Sequence, residues 1–235
     1  MNRGLIIAVD GPAGAGKSSS SRLLAERLGY RYIDTGALYR AVGLLALEQN
    51  VDLEDHAAVV ALCDRLDLRF VSGAEGTRLL LGGRDVTAEI RRPEVSQMAS
   101  KVSALPGVRQ RLLTVQRELG RGGGVVMEGR DIGTVVFPDA DIKFYLDASP
   151  EERGRRRHAE LGAQEGPESL ATTMREMAER DRRDSARAHA PLQRAADAVL
   201  VDTTALTLEE VVATLLRWVR AVRPNAGQDR GNRRA

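Results

Sequence analysis

The chain has 235 residues, 43% of them apolar, enough to bury a substantial core in one or two domains. Its 35 basic and 33 acidic side chains nearly cancel, which argues against a nucleic-acid coat or a membrane-surface protein. A single cysteine, Cys63, excludes an intramolecular disulfide and a thiolate zinc cage, and a reducing, cytoplasmic setting is the expectation.

Leu5 to Val9, "LIIAV", reads as a strand buried on both faces; the run is too short for a signal peptide's apolar region, and no stretch approaches a membrane span. It leads directly into "DGPAGAGKS", where Gly11, Gly16, Lys17 and Ser18 satisfy G-x-x-x-x-G-K-[ST]. Glycines there let successive backbone N–H groups face an anion. The loop of Gly11, Pro12, Ala13, Gly14, Ala15, Gly16, Lys17, Ser18 and Ser19 is therefore expected to cradle the phosphates of a nucleoside triphosphate, with Lys17 reaching the β/γ oxygens and the Ser18 hydroxyl on Mg²⁺. Leu23, Leu24 and Leu28 recur at helical spacing, and Gly29 is placed to stop that helix.

"YRYI" at 30–33 gives a second strand, and the following "DTGALYR" brings Asp34, Thr35 and Arg40 to the sheet's carboxyl edge, where parallel sheets bind ligands. A capped helix with a solvated arginine explains those residues equally well. "LDLRFV" at 66–71, "TRLLLGG" at 77–83 and "RDVT" at 84–87 read as small antiparallel strands joined by glycine turns, so residues 34–100 are expected to form an inserted lobe.

Alternation resumes with "GVVM" at 124–127, "IKFYL" at 142–146 and "AVLV" at 198–201, which with the first two strands predicts a parallel five-stranded sheet flanked by helices. The segment "EGRD" at 128–131 carries Arg130 and Asp131 to the same edge as Asp34. Ser149-Pro150 with Glu152, and Thr207 with Glu210, mark two helix starts. Arg153, Arg156 and Arg157 fall at i, i+3 and i+4, either a solvated face or a mobile lid that neutralises charge on the phosphoryl group in transfer. Arg180, Asp184 and Arg187 fall at i, i+4 and i+7, either an ion pair or a face that binds a sugar and its phosphate. From residue 224 onward the chain is polar and basic, and a disordered tail is expected there.

Together "GPAGAGKS", "DTGALYR", "EGRDIGTVVFPDA" at 128–140, "DASPEER" at 147–153 and "ERDRRDSARAHAPLQRAADAVLVDTT" at 179–204 resemble the bacterial cytidylate kinases, to about residue 222. The resemblance implies an α/β P-loop nucleoside-monophosphate kinase fold. Its parts would be a core of 1–33, 101–150 and 167–223, an acceptor lobe of 34–100, a short helical lid of 151–166 and the tail 224–235. It implies Mg²⁺-dependent transfer of the γ-phosphoryl group of ATP to CMP or dCMP by a monomer, with neither nucleic acid nor membrane as partner. Matching positions assign Ser100, Arg109 and Asp131 to the cytosine, Thr35, Arg180 and Asp184 to the sugar, and Arg40, Arg130 and Arg187 to the acceptor phosphate. Lys17 and the lid arginines Arg153, Arg156 and Arg157 would act on the transferring group, and Asp34 would stand behind the metal's ligands. Thr35 stands where many family members have serine, keeping the hydroxyl and adding a methyl. Three rivals stay open: a small P-loop kinase for shikimate, thymidylate or dephospho-coenzyme A; a nucleotide switch, which lacks its guanine-reading N-K-x-D; and a nucleic-acid binder, poorly served by three phenylalanines and one tryptophan.

Overall fold

The structure is a computed structural model that describes residues 3–73, 76–165 and 170–222. Strand β1 (Ile6–Asp10) is buried along its whole length and ends in the glycine loop. No side chain caps α1 (Lys17–Leu28): Gly16 enters it in the left-handed conformation, φ 83°, so the first-turn amides take no side-chain acceptor. After β2 (Arg31–Asp34), the Asp34 carboxylate accepts from Ala37 N at 3.1 Å and caps α2 (Thr35–Glu48). Next come α3 (His56–Asp64) and the strands β3 (Leu68–Gly73), β4 (Gly76–Leu81) and β5 (Arg84–Asp85), which pair antiparallel in the order β3-β4-β5. Gly82 and Gly83 make the two-residue turn between the last two, where glycine chemistry placed it.

The chain then forms α4 (Pro93–Val102), α5 (Pro106–Gly120), β6 (Val125–Gly129), a π-helical turn over Ile132–Val136, β7 (Ile142–Asp147), α6 (Pro150–Glu165), α7 (Leu170–Ser185), β8 (Val199–Asp202) and α8 (Leu208–Val222). The larger sheet has the order β2-β6-β1-β7-β8, with every neighbouring pair parallel. The five expected strands are all present, each within a residue or two of its expected place. β1 is central, so the loop at its end opens where the chain reverses direction across the sheet.

Two layers of apolar side chains fix this sheet. On one side Ile7, Val9 and Phe144 pack with Leu24 of α1 and with Val212 and Leu215 of α8. On the other, Ile6, Ala8 and Met127 meet Ile132 and Val136 of the π-helical turn and Leu113 of α5. Phe144 is 1% exposed, and its truncation to alanine would cost about 3–5 kcal/mol. The lobe has its own cores, one of α2 with α3, α4 and α5 through Leu38, Val59, Leu62 and Leu112, and one of α2 against the small sheet through Leu79, Leu81 and Val86. α4 crosses α2 at Gly43, where a Cβ would stand 3.0 Å from Ala99 N and 3.3 Å from Val95 O. Only glycine lets these helices lie so close.

The two marked helix starts differ. At α8 the box is complete: Glu210 N donates to Thr207 Oγ1 at 3.3 Å, and Thr207 N donates to Glu210 Oε2 at 2.8 Å. At α6 Glu152 N donates to Ser149 Oγ at 3.2 Å, but Ser149 N goes to Thr204 Oγ1 while the Glu152 carboxylate takes Arg155 and Arg156. The helix is capped by serine and its glutamate is spent on arginines. The tail expected at 224–235, the last expected lid residue, 166, and residues 167–169 and 223 of the expected core lie outside the described residues. Among the described residues no helix is long and apolar enough to cross a membrane.

Candidate active site

The carboxyl ends of β1, β2 and β6 surround a cavity of about 420 Å³, and the first turns of α1 and α2 lie at its edge. One end is the glycine loop. Ala13, Gly14, Gly16, Lys17, Ser18 and Ser19 form its wall, while Gly11, Pro12 and Ala15 support the loop from behind. Lys17 is buried, and its Nζ donates to Pro12 O at 2.6 Å. Burial and the nearby Arg130 guanidinium bring its pKa down to about 7.

Glu128, at the end of β6, also belongs to this wall. It is 3% exposed; Oε1 accepts from the Tyr32 hydroxyl, and Oε2 has no hydrogen-bond partner. Burial and the Asp34 charge raise its pKa, against the pull of Lys17 and the neighbouring Ser18 hydroxyl. Asp10 closes the loop's near side from below. Its two carboxylate oxygens accept from Ile132 N at 2.8 Å and Gly133 N at 2.7 Å, and burial still lifts its pKa to about 6.

The other end is built from side chains. Arg130 donates from Nη1 to Gly11 O and from Nε to Asp184 Oδ2, each at 3.0 Å, and so touches both the loop and the far wall. Arg187 donates to the second oxygen of Asp184 and, at 2.8 Å, to Ser103 Oγ. Arg40 donates to Asp34 Oδ2 at 2.5 Å. Arg180 is half-buried, with its Nε enclosed and unpartnered; burial and the Arg130 charge pull its pKa down to about 9, so it stays charged at neutral pH. Burial pushes the Asp184 carboxyl upward, but Arg130, Arg187 and Arg180 outweigh it and hold the group below its ordinary value. The four guanidinium groups of Arg40, Arg130, Arg180 and Arg187 thus face the two carboxylates Asp34 and Asp184, an excess of two positive charges within this cluster. Thr35 completes this wall, its hydroxyl donating to Glu128 O at 2.7 Å.

Beside that cluster stands a balanced pair. Arg109, 9% exposed, donates from Nη2 to Asp131 Oδ2 and from Nη1 to Ser103 O at 3.3 Å, with its guanidinium carbon 5.5 Å from the centre of the Tyr39 ring. On α4 the cavity is lined by Ser96, Ala99 and Ser103. Ser100 is one helical step round from that face, with its hydroxyl buried and without a partner.

The three arginines of α6 have different surroundings. Arg157 lines the cavity, paired to Glu160 at 3.1 Å. Arg153 holds Ala13 O at 3.1 Å and the Asp181 carboxylate, and Arg156 holds Thr203 O at 2.7 Å. Arg187 lies past the end of α7 rather than on its face; the chain folds back there, with Leu192 N donating to Asp184 O at 2.8 Å. Sequence reasoning did not single out Tyr39, Ser103, Asp10 or Glu128. A signal existed for Asp10 and Glu128, acids at the carboxyl ends of the buried strand that feeds the glycine loop and of its neighbour.

Comparison with known proteins agrees with this geometry. The sequence profile of the family described as cytidylate kinase matches residues 7–221. The chain is 52% identical to a cytidylate kinase of Geobacter sp. (strain M21), covering 92% of this chain and 93% of the relative. It is also 52% identical to a cytidylate kinase of Carboxydothermus hydrogenoformans, covering 91% and 96%. A crystal structure of an uncharacterized protein from Eubacterium ventriosum superposes with a TM-score of 0.50 at 10% identity over 92% of this chain and 99% of that one, a likeness of fold alone. With matches of this extent, the chain belongs to the cytidylate kinase family.

Proposed function

We propose that the chain transfers the γ-phosphoryl group of ATP to CMP or dCMP, giving the nucleoside diphosphate and ADP. One observation carries this reading: a single cavity joins an amide-lined loop to an excess of two positive charges, with a neutral Arg–Asp pair beside them. The excess matches a phosphate monoester dianion. The pair matches cytosine, whose exocyclic amine donates to a carboxylate while its ring nitrogen and carbonyl accept from a guanidinium. Uracil would set its O4 against the Asp131 carboxylate with no proton between them, and such a buried mismatch supports strong discrimination.

The acceptor phosphate, mostly dianionic near neutrality, needs no strong general base, so the protein's work is positioning and charge neutralisation. In this reading Lys17 and Arg157 stabilise the charge of the transferring group. Arg40, Arg130, Arg180 and Arg187 hold the acceptor phosphate and sugar against residues 34–100. Arg153 braces the glycine loop through Ala13 O and Arg156 braces the β8–α8 connection, which gives the α6 arginines divided duties. Closure over the cavity would keep water from the activated phosphoryl group.

The residues present fit a magnesium ion. Among the described residues no three His, Cys, Asp or Glu side chains gather into a metal cluster, as suits a small cation held mainly by nucleotide phosphates and water. Ser18 and the unpartnered Glu128 oxygen are the groups that would hold it, where it would neutralise charge on the β and γ phosphates. Asp34 is committed to Ala37 N and Arg40. A monomer working on a cytoplasmic supply of ATP and CMP stays part of this reading.

The test is ADP formation by purified protein with ATP and Mg²⁺, offering CMP, dCMP, UMP, AMP, dTMP and shikimate separately. Turnover restricted to CMP and dCMP is expected. Preference for another acceptor would overturn the reading, and rapid ATP loss without an acceptor would overturn the closure.

A further inference from the structure

Ser103 stands at the end of α4 between two groups that acceptor recognition uses for different ends. Its hydroxyl meets Arg187 Nη2 at 2.8 Å and Ser100 O at 2.9 Å, and its carbonyl meets Arg109 Nη1 at 3.3 Å. The polarity of this junction is fixed by its partners. A guanidinium can only donate and a carbonyl only accept, so the hydroxyl must accept from Arg187 and donate to Ser100. Ser103 is 6% exposed, and it lines the cavity. Ser100 O is one of the last-turn carbonyls that a helix leaves without an internal donor.

We propose that Ser103 is a positioning residue for the acceptor nucleotide: its hydroxyl fixes Arg187 against the last turn of α4 while its carbonyl fixes Arg109, setting the spacing between the phosphate-side cations and the base-reading pair. The proposal rests on the cytidylate-kinase reading and deepens it. Arg187 shows why the hydroxyl matters. Its other anchor is the Asp184 carboxylate three residues earlier, and its Nε is buried without a partner, so Ser103 is what ties this guanidinium to the end of α4. Arg109 is held from both sides, by Asp131 and by the Ser103 backbone carbonyl, which a side-chain substitution at 103 retains. The hydroxyl's effect therefore falls on the acceptor and not on ATP, whose loop lies at the other end of the cavity.

The experiment compares wild type, Ser103→Ala and Ser103→Thr in steady-state assays with CMP, UMP and ATP varied in turn, with thermal melting of each protein. Expected for Ser103→Ala is a KM for CMP raised about tenfold, an unchanged KM for ATP, and a ratio of kcat/KM for CMP over UMP narrowed several-fold, whereas Ser103→Thr stays near wild type. An alanine variant with the wild-type KM for CMP would overturn the proposal. So would KM values for CMP and ATP that rise in equal proportion with a fallen melting temperature, which is the mark of a merely structural role. A threonine variant as impaired toward CMP as alanine, with normal ATP binding, would also count against it. Wild type that does not turn over CMP would sink the parent reading instead, so the two failures are distinct.

Discussion

The two ends of the cavity bind anions by different means. At the glycine loop the donors are backbone amides and one buried lysine, held by a helix whose first turn no side chain caps. At the acceptor end the donors are guanidinium groups on α2, on α7 and just past it, and after β6; Asp34 orients Arg40 from within its own segment, while Asp184 reaches Arg130 and Ser103 reaches Arg187 from distant parts of the chain. A backbone cradle is specified by a run of nine residues. A side-chain cradle exists only after the sheet, the lobe and α7 have come together, so it is sensitive to packing far from the ligand.

Substitutions that separate the ends should sharpen that contrast. The largest effect is expected from Lys17→Ala, which removes the lysine cation of the glycine loop and should lower kcat about a thousandfold with little change in the KM for CMP. Near-normal turnover in a rapid-quench assay would break the division of labour. Next, Asp131→Asn should leave ATP binding intact and lower kcat/KM for CMP about a hundredfold, because the amide turns one acceptor into a donor against the cytosine amine. Direct competition between CMP and UMP measures this, and an unaltered preference would remove Asp131 from base reading.

The smallest effect concerns Asp10, which joins the two ends by accepting from Ile132 N and Gly133 N. Its pKa is raised from 3.8 to about 6, so between those values the folded protein binds the proton more tightly than the unfolded chain. Its contribution to stability is fullest below pH 3.8 and is lost as pH rises through 6. Asp10→Asn resembles the protonated group and should gain on wild type in free energy of unfolding as pH goes from 5 to 7, by ~2 kcal/mol at most, which melting curves at each pH measure. A difference between the two proteins that does not vary with pH would refute this titration.

The sequence made the fold legible because each core strand is a short apolar run bounded by turn residues, and because the caps at Ser149 and Thr207 are local chemistry. It made the glycine loop legible for the same reason. The facing of α4 was not legible. Which of Ser96, Ser100 and Ser103 turns toward the cavity depends on a rotation of α4 about its own axis, and that rotation is set by contact with Gly43 on α2, fifty residues or more away in sequence. The split among Arg153, Arg156 and Arg157 was hidden likewise, since helical spacing puts them on neighbouring faces but cannot say that Ala13 O and Thr203 O wait for two of them.

The unbalanced charge at the acceptor end bears on how the protein is handled. Four half-buried guanidinium groups over two carboxylates repel one another, and any small dianion that enters relieves them. Such an ion binds the folded chain alone, so it raises apparent stability with its concentration. A melting curve recorded in phosphate or sulfate buffer is then partly a titration of this cavity, and the fold's own resilience is the value extrapolated to zero anion.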